Sequence, residues 1–486
     1  MKLKKIVTII LLLGFINANL ATLPVQAFGF KKKQCCTNNL DIINYCWWQN
    51  FNDKNLECYI QQALKCNHDI KLANLKIQEY CYLTRIQLGK ELPTIGVGGY
   101  YSGINADPTT LGDGGLWAFP LFAYYELDLY GKNRNKTQAA KKEWEATRFE
   151  AKATYISIIG AVAGTYYNIV KLDKLIALQQ EIINYKEKIY DLTKKRNEQG
   201  IASTADTVRA NKELVLAQTD LINFEKSRNQ MLNMLCVLIG ESPDKSACIN
   251  RISYDELALR NDIPSQISSE VIVHRPDIMQ AEKRIEKAGL DVKVARKELL
   301  PTFNIIGLLL FSSNSLQRVF NWDRAVGILG GGLGWTFTGG QRLANLGLKK
   351  NYYEQILQTY HKTNLQAIQE VNDSLSNLKL DLEKYAQGLE KLALQQKEFG
   401  FVEKRYERGV ISYLDMIEQK EALLTINKTV VVDKTDCFID YISLYKATGA
   451  CIDKAMNENT GCGCIPENPQ KQKCKKTKKT PQKDAK

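Results

Sequence analysis

Asp415 and Glu418 form the most suggestive chemical pair in this chain. Three residues apart, they share one face of a helix. Carboxylates grouped without a neighbouring cation bind or select cations. An earlier stretch carries Asp206 and Arg209 at the same spacing, where opposite charges offset each other locally. Two solvated surface acids are the plainer alternative. No other residues suggest a reactive centre. His68, His274 and His361 are scattered, without metal-ligand pairing or a nucleophile beside them. Cys462-Gly463-Cys464 lacks a second spaced pair, so no metal site is expected. Gly330-Gly331-Gly332-Leu333-Gly334 precedes Trp335-Thr336-Phe337-Thr338 rather than a helix, which suits a glycine-rich strand better than a phosphate loop. The expectation is a non-enzyme without cofactor or resident metal.

The positions of these residues follow from an internal repeat. Leu92-Pro93-Thr94 recurs as Leu300-Pro301-Thr302 and Asp69-Ile70 as Asp277-Ile278, an offset of 208. Gly131 and Arg134 match Gly339 and Arg342 at that offset. Lys195-Arg196, Gly200, Asp206 and Gly240 match Lys404-Arg405, Gly409, Asp415 and Gly449 at an offset of 209. Constant register over that length reads as tandem duplication. The expected division is a first repeat at 55–248, a linker at 249–266 and a second repeat at 267–456. Each copy runs helix, two strands, a very long helix, a glycine turn and a return helix. The first helical stretches are expected at Asn55–Lys90 and Ile267–Glu298.

Trp117, Phe119, Leu121, Ala123, Tyr125, Leu127 and Leu129 alternate along one strand face, and Phe303, Ile305, Leu309 and Phe311 repeat the pattern. Aromatic residues such as Tyr100, Tyr101, Trp117, Tyr124 and Tyr125 suit bilayer interfaces. The long helices carry three-and-four seams: Leu175, Leu178, Ile182, Tyr185, Ile189 and Leu192, then Ile368, Val371, Leu375, Leu378, Leu382, Tyr385, Leu389 and Leu392. A helix from Arg134 to Gln199 would span about 100 Å. Four strands per chain cannot close a barrel, and lipid does not tolerate open edges. Three chains supply twelve strands. The expected fold class is therefore an α+β membrane protein: a transmembrane β-barrel of twelve strands from a trimer, continuous with a long α-helical barrel. A non-channel coiled-coil spacer or surface adhesin is the alternative.

The ends differ from the body. Lys2, Lys4 and Lys5 precede the apolar run Ile6–Phe15 and Pro24-Val25-Gln26-Ala27, so residues 1–27 read as a cleaved export signal. A cysteine-rich segment follows at 28–54. Lys31-Lys32-Lys33-Gln34 is a poor lead-in to a lipidated Cys35 or Cys36. Of the net charge of +13, the signal holds +3 and the last 16 residues, Lys471–Lys486, +7, which leaves +3 for the rest of the chain. That excludes a basic nucleic-acid-binding domain, and residues 457–486 read as a disordered tail.

Arg275-Pro276-Asp277-Ile278, Ala281-Glu282, Ala295-Arg296, Leu300-Pro301-Thr302, Gly339-Gly340 and Arg342, in that order within a duplication, resemble the TolC-type outer-membrane efflux proteins, closest to the NodT-like branch. The resemblance covers residues 40–456. It implies a homotrimeric channel in outer-membrane lipid, with its helical barrel in the periplasm. Such a channel is the passive exit duct of a tripartite efflux or type I secretion system, fed by an inner-membrane pump through a periplasmic adaptor. It also implies that Gly200, Ile201, Ala202, Gly409, Val410 and Ile411 form adaptor-docking tips, although a glycine there ends a helix in any case. In the family, acids six and nine positions past the second turn glycine line the periplasmic gate, which implies that role for Asp415 and Glu418. Many NodT-like members are lipoproteins, and this chain departs from them.

Overall fold

Asn67 shows how side-chain chemistry sets the element boundaries. It ends α1 (Lys54–Cys66) and begins α2 (His68–Gly89), its side chain accepting from the Asp69 and Ile70 amides at 2.8 and 3.1 Å. Those are orphan donors of a first helical turn, which a short polar side chain satisfies well. Its Nδ2 also donates to the Leu238 carbonyl at 2.8 Å, tying this break to a later helix end. The first helical stretch is therefore two helices, where one was expected. The computed structural model describes residues 47–103, 115–259, 272–336 and 339–449. The export signal, most of the cysteine-rich segment, the Lys-rich tail and Cys462-Gly463-Cys464 lie outside those residues.

After α2 come β1 (Thr94–Val97), β2 (Tyr100–Gly103) and β3 (Gly115–Leu127). Then α3 (Lys132–Glu198) turns into α4 (Thr204–Leu238). The second half holds α5 (Pro276–Lys297), β4 (Thr302–Ser313), β5 (Ala325–Gly334), α6 (Gln341–Glu407) and α7 (Tyr413–Ala447). The two long helices are both 67 residues and the two return helices both 35. At 1.5 Å per residue each long helix extends about 100 Å.

One antiparallel sheet joins the halves, in the order β1-β3-β4-β5 with β2 also on β3. Thr94 pairs with Tyr124 and Tyr100 with Ala118, so β1 and β2 keep one register along β3. The break falls at Gly98-Gly99, opposite Pro120. Proline has no amide to return; only the Gly98 amide donates, to the Pro120 carbonyl at 3.0 Å. Four strand paths result, with β1/β2 and β5 as edges. Leu129, at the end of the expected alternation, lies beyond β3 in the turn towards α3.

The helical core centres on α3, which packs against α2, α4, α5 and α7. Tyr166, Tyr167, Leu235 and Phe438 are fully enclosed, with the Tyr167 and Phe438 rings stacked at 4.9 Å. Trp47 stacks on Tyr445 at 4.8 Å, closing the core where the described chain begins and ends. By contrast, α6 packs chiefly against α5 and α7. Val371 and Leu378 of its expected seam are buried, but Ile368 and Leu389 face outward because none of the described elements covers them.

Arg275 anchors the second half. It is almost fully buried, and its guanidinium donates to the Ala447 carbonyl at 2.6 Å, to Asp277 and to Glu370 at 2.7 Å. Burial alone would lower its basicity; the Asp277 and Glu370 hydrogen bonds outweigh that and raise it. The Arg275-Pro276-Asp277 run thus joins the start of α5, the end of α7 and the flank of α6.

Candidate functional site

The helical hairpins reverse at two chemically matched turns. Gly200 has φ +75° and Gly409 φ +71°, the left-handed region where a side chain is strained. In each turn the amide after the glycine reaches back five residues, Ile201 to the Arg196 carbonyl at 2.8 Å and Val410 to Arg405 at 2.9 Å. That closes the helix end in the manner of a Schellman motif. Ile201 and Val410 are 64% and 63% exposed, so each tip presents an apolar side chain to solvent. Ala202 and Ile411 are half-buried beneath them.

Each return helix then begins with a capping box. The Asp206 amide donates to the Ser203 hydroxyl at 3.1 Å, and its carboxylate accepts from the Ser203 amide and hydroxyl at 3.2 and 2.8 Å. Asp415 does the same with Ser412, at 3.2, 3.1 and 2.8 Å. Reciprocal bonding of this kind satisfies two orphan amides. The Asp206 carboxyl is held below the usual range by these Ser203 bonds, with Arg209 a lesser influence. A local Asp206–Arg209 pairing was expected; the first partner of Asp206 is Ser203. Asp415 likewise has a structural task.

Glu418 sits one turn on and is exposed. Partial burial raises its carboxyl pKa, and Asp415 and Glu421 push the same way, while Lys186 opposes them. Lys186 was not singled out from the sequence. It lies on α3, only 13% exposed, with its ammonium 2.6 Å from Glu213 of α4 and 2.8 Å from Glu421 of α7. Burial alone would lower its pKa; the hydrogen bonds it donates to Glu213 and Glu421 raise it. It is an ionic clasp between the two hairpins. Just below, Ile417 is wholly buried with Ile189 and Ala210. In the second half Gln395 occupies the position matching Lys186 and reaches Gln419 at 3.5 Å, a neutral contact.

This arrangement brings together a strip of like charge, a clasp and two exposed apolar tips. It can hold or release contact between hairpins and attract cations. It holds no nucleophile and base in contact, and the described residues contain no group of His, Cys, Asp and Glu able to hold a metal ion. No described helix is long and apolar enough to cross a membrane.

A family profile described as outer membrane efflux protein matches residues 59–241 and 267–450. The chain is 26% identical over 411 residues to the probable efflux pump outer membrane protein TtgC of Pseudomonas putida, covering 83% of this chain and 84% of that one. It is 23% identical over 416 residues to the cation efflux system protein CusC of Escherichia coli K12, covering 83% and 88%. Among solved structures, the Campylobacter jejuni CmeC outer membrane channel superposes with a TM-score of 0.75 at 23% identity, covering 83% of this chain and 87% of that one.

Proposed function

Since the chain belongs to the outer membrane efflux protein family, whose relatives and structural neighbours are channels rather than enzymes, we propose that it works as a homotrimeric exit duct. It is an outer-membrane protein, and the duct is passive, with transport driven by an inner-membrane pump reached through a periplasmic adaptor. The observation that carries the reading is an apolar sheet with two free edges set on helices about 100 Å long. The edges are different surfaces, β1/β2 and β5, so they pair head to tail, and such contacts generate a ring when the rotation closes. The exposed apolar residues of α6 (Leu365, Ile368, Leu380, Leu394, Phe401) and of α4 (Val208, Val215, Leu216, Ile222) need the same neighbours. Three chains then give twelve strand paths and, from two hairpins per chain, twelve helices.

In this reading Gly200, Ile201, Ala202, Gly409, Val410 and Ile411 meet the adaptor at the periplasmic tips. Asp415 and Glu418 contribute six carboxylates to the mouth, where they favour cations. Detergent-extracted protein should sediment as a trimer from the outer-membrane fraction and form pores in planar bilayers. A monomer recovered from the periplasm without detergent refutes the duct. For the gate, Asp415→Asn with Glu418→Gln should reduce cation preference and divalent-cation block in single-channel recordings. Unchanged selectivity would leave these acids as a capping residue and a surface charge.

A further inference from the structure

Helix α2 has an apolar side that lies bare among the described residues. Its inner side packs on α3: Ile70 and Cys81 are buried, Asn74 donates to the Tyr155 hydroxyl at 2.8 Å, and the Thr84 hydroxyl donates to the Ala140 carbonyl at 3.2 Å. The opposite side carries Leu72, Leu75, Tyr82, Leu83 and Ile86, each between 44% and 62% exposed, with Glu79 among them. Spacings of three, four and seven residues keep this stripe on one face of the helix.

The duplication supplies the missing neighbour. In the second half α5 stands where α2 stands in the first, with Asp277-Ile278 matching Asp69-Ile70, and it packs on two long helices. One side of α5 meets α6 of its own half, as α2 meets α3. The other side meets α3 of the preceding half through charged groups. Gln280 and Arg284 reach Glu150 at 2.7 and 3.0 Å, Lys287 reaches Glu143 at 3.0 Å, and Glu286 receives Lys142 at 2.6 Å. The bare stripe of α2 corresponds to that second side. Leu72 stands where α5 has Gln280, Leu75 where it has Lys283 and Glu79 where it has Lys287.

Strand order leads to the same neighbour. Within the chain β3 runs into α3, β4 follows α5, and the pairing of β3 with β4 accompanies the packing of α3 on α5. The free edges repeat this relation: β5 runs into α6, and β1 follows α2. A β5 edge that pairs with the β1/β2 edge of the next copy therefore lays that copy's α2 along α6.

On these grounds, and resting on the trimeric reading above, we infer that the bare side of α2 seats on the first part of α6 of a second copy, an apolar seam where the matching contact within the chain is ionic. Because α3 and α6 are equal in length, Glu143 and Glu150 correspond to Tyr352 and Thr359. Substitution into the α3–α5 contact places Leu72 opposite Thr359, and Glu79 opposite Tyr352, whose hydroxyl can donate to the carboxylate. One turn on, the same antiparallel run brings Leu83 to Leu348. Leu348 and Tyr352 are 64% and 45% exposed on the single chain. The change of chemistry suits the change of task. A contact between copies must offset the freedom of motion lost on association, and permanent interfaces are accordingly more apolar.

The test uses full-length protein extracted in detergent, with the photo-crosslinking residue benzoylphenylalanine replacing Leu72 or Leu83. Light should give a two-chain product on denaturing gels, joined at the peptide holding Thr359 in the first case and Leu348 in the second. In an intact trimer, crosslinks confined to one chain (to residues 28–46, for instance), crosslinks to another segment, or none at all overturn the seam and leave the duct standing. Recovery of monomers alone refutes the duct reading itself. Charge exchange gives an independent measure. Leu83→Glu or Leu348→Lys alone buries an unpaired charge, so the midpoint of trimer dissociation on dilution should rise about a hundredfold. The two together set opposite charges across the seam, as Lys287 and Glu143 stand within the chain, and should recover most of that loss. Unchanged dissociation in the single variants, or a double variant no tighter than the weaker single one, overturns the proposal.

Discussion

Replacing Lys186 with Met removes the ammonium of the clasp and keeps a side chain of similar length. If the two hairpins part at the tip, Glu213 stays with Lys186 in the first hairpin and only the Glu421 contact is lost. A hydrogen bond between charged groups contributes about 1.5–3 kcal/mol. Lys186 and Glu421 are 13% and 21% exposed, so solvent screening places this one near the lower end, about 1.5 kcal/mol. That is roughly a tenfold shift from closed to open for one chain, and about a thousandfold if three chains open together. The residual acids Glu213, Glu418 and Glu421 then repel without a cation between them and add to the effect. Single-channel recording should show open events at least ten times more frequent in Lys186→Met, with Lys186→Arg near the wild type. Trimer stability on gels should be unaltered, because Ile417, Ile189 and Ala210 still pack below. Wild-type gating in a correctly assembled Lys186→Met trimer would refute the clasp.

Acid should tighten the same tip. The Glu418 carboxyl titrates above the ordinary range in the closed arrangement, so the closed tip takes up a proton that a parted tip takes up only at lower pH. Open probability should fall as pH drops from neutrality to about 5, and Glu418→Gln should remove that response. The Lys186 contribution does not interfere, since a raised lysine value keeps it intact below the ordinary lysine range and loses it only at more alkaline pH. Arg275→Ala should cost about 2–3 kcal/mol in denaturant unfolding, because it strands the Ala447 carbonyl and two carboxylates. Asp440 is pushed up to about 7 by burial and by its hydrogen bond with Asp381. The fold holds this proton more tightly than the unfolded chain, so the penalty builds as pH rises from the ordinary carboxylate range, near 4, to about 7 and is complete above it. Asp440→Asn should raise thermal stability most at pH 8, less at pH 5 and least below about pH 4. An equal change at all three would rule out this titration.

Periodicity and glycine chemistry made much of the fold legible. The four strand paths show as period-two alternation, the long helices as three-and-four seams, and the hairpin ends as Gly200 and Gly409. What stayed hidden depends on cross-chain geometry. The β1/β2 break arises because Pro120 faces Gly98, a relation that only strand register creates. Asn67 caps two helices at once, and its side chain is bound by Leu238, 171 residues away. Ser412 and Asp415 carry a capping pattern readable in sequence, but spacing alone placed Asp415 on a helix face without saying that Ser412 occupies its carboxylate. Lys186 was hidden because its partner Glu421 belongs to the other hairpin. The half-exposed seam of α6 has the same origin: heptads mark a surface that packs, not the chain it packs against.

The two halves match in backbone and differ in charge, and in the proposed trimer that difference would set the order of the hairpins. Where the second return helix carries Glu418 and Glu421, the first carries Arg209 and Lys212 at matching positions; where α3 carries Lys186, α6 carries Gln395. Six identical hairpins in a ring would place each tip beside its own likeness, and acids near acids would repel at every contact. In the proposed trimer, two unlike hairpins would alternate and set each Glu418-Glu421 strip between tips that carry Arg209, Lys212 and Lys186, one from its own chain and one from the next. Within the chain that attraction already exists as the 2.8 Å Lys186–Glu421 contact. A closed mouth held by alternating charge can be opened by a partner that competes for a few ion pairs. One held by a continuous apolar core would require far more surface to be exposed to water before it parted.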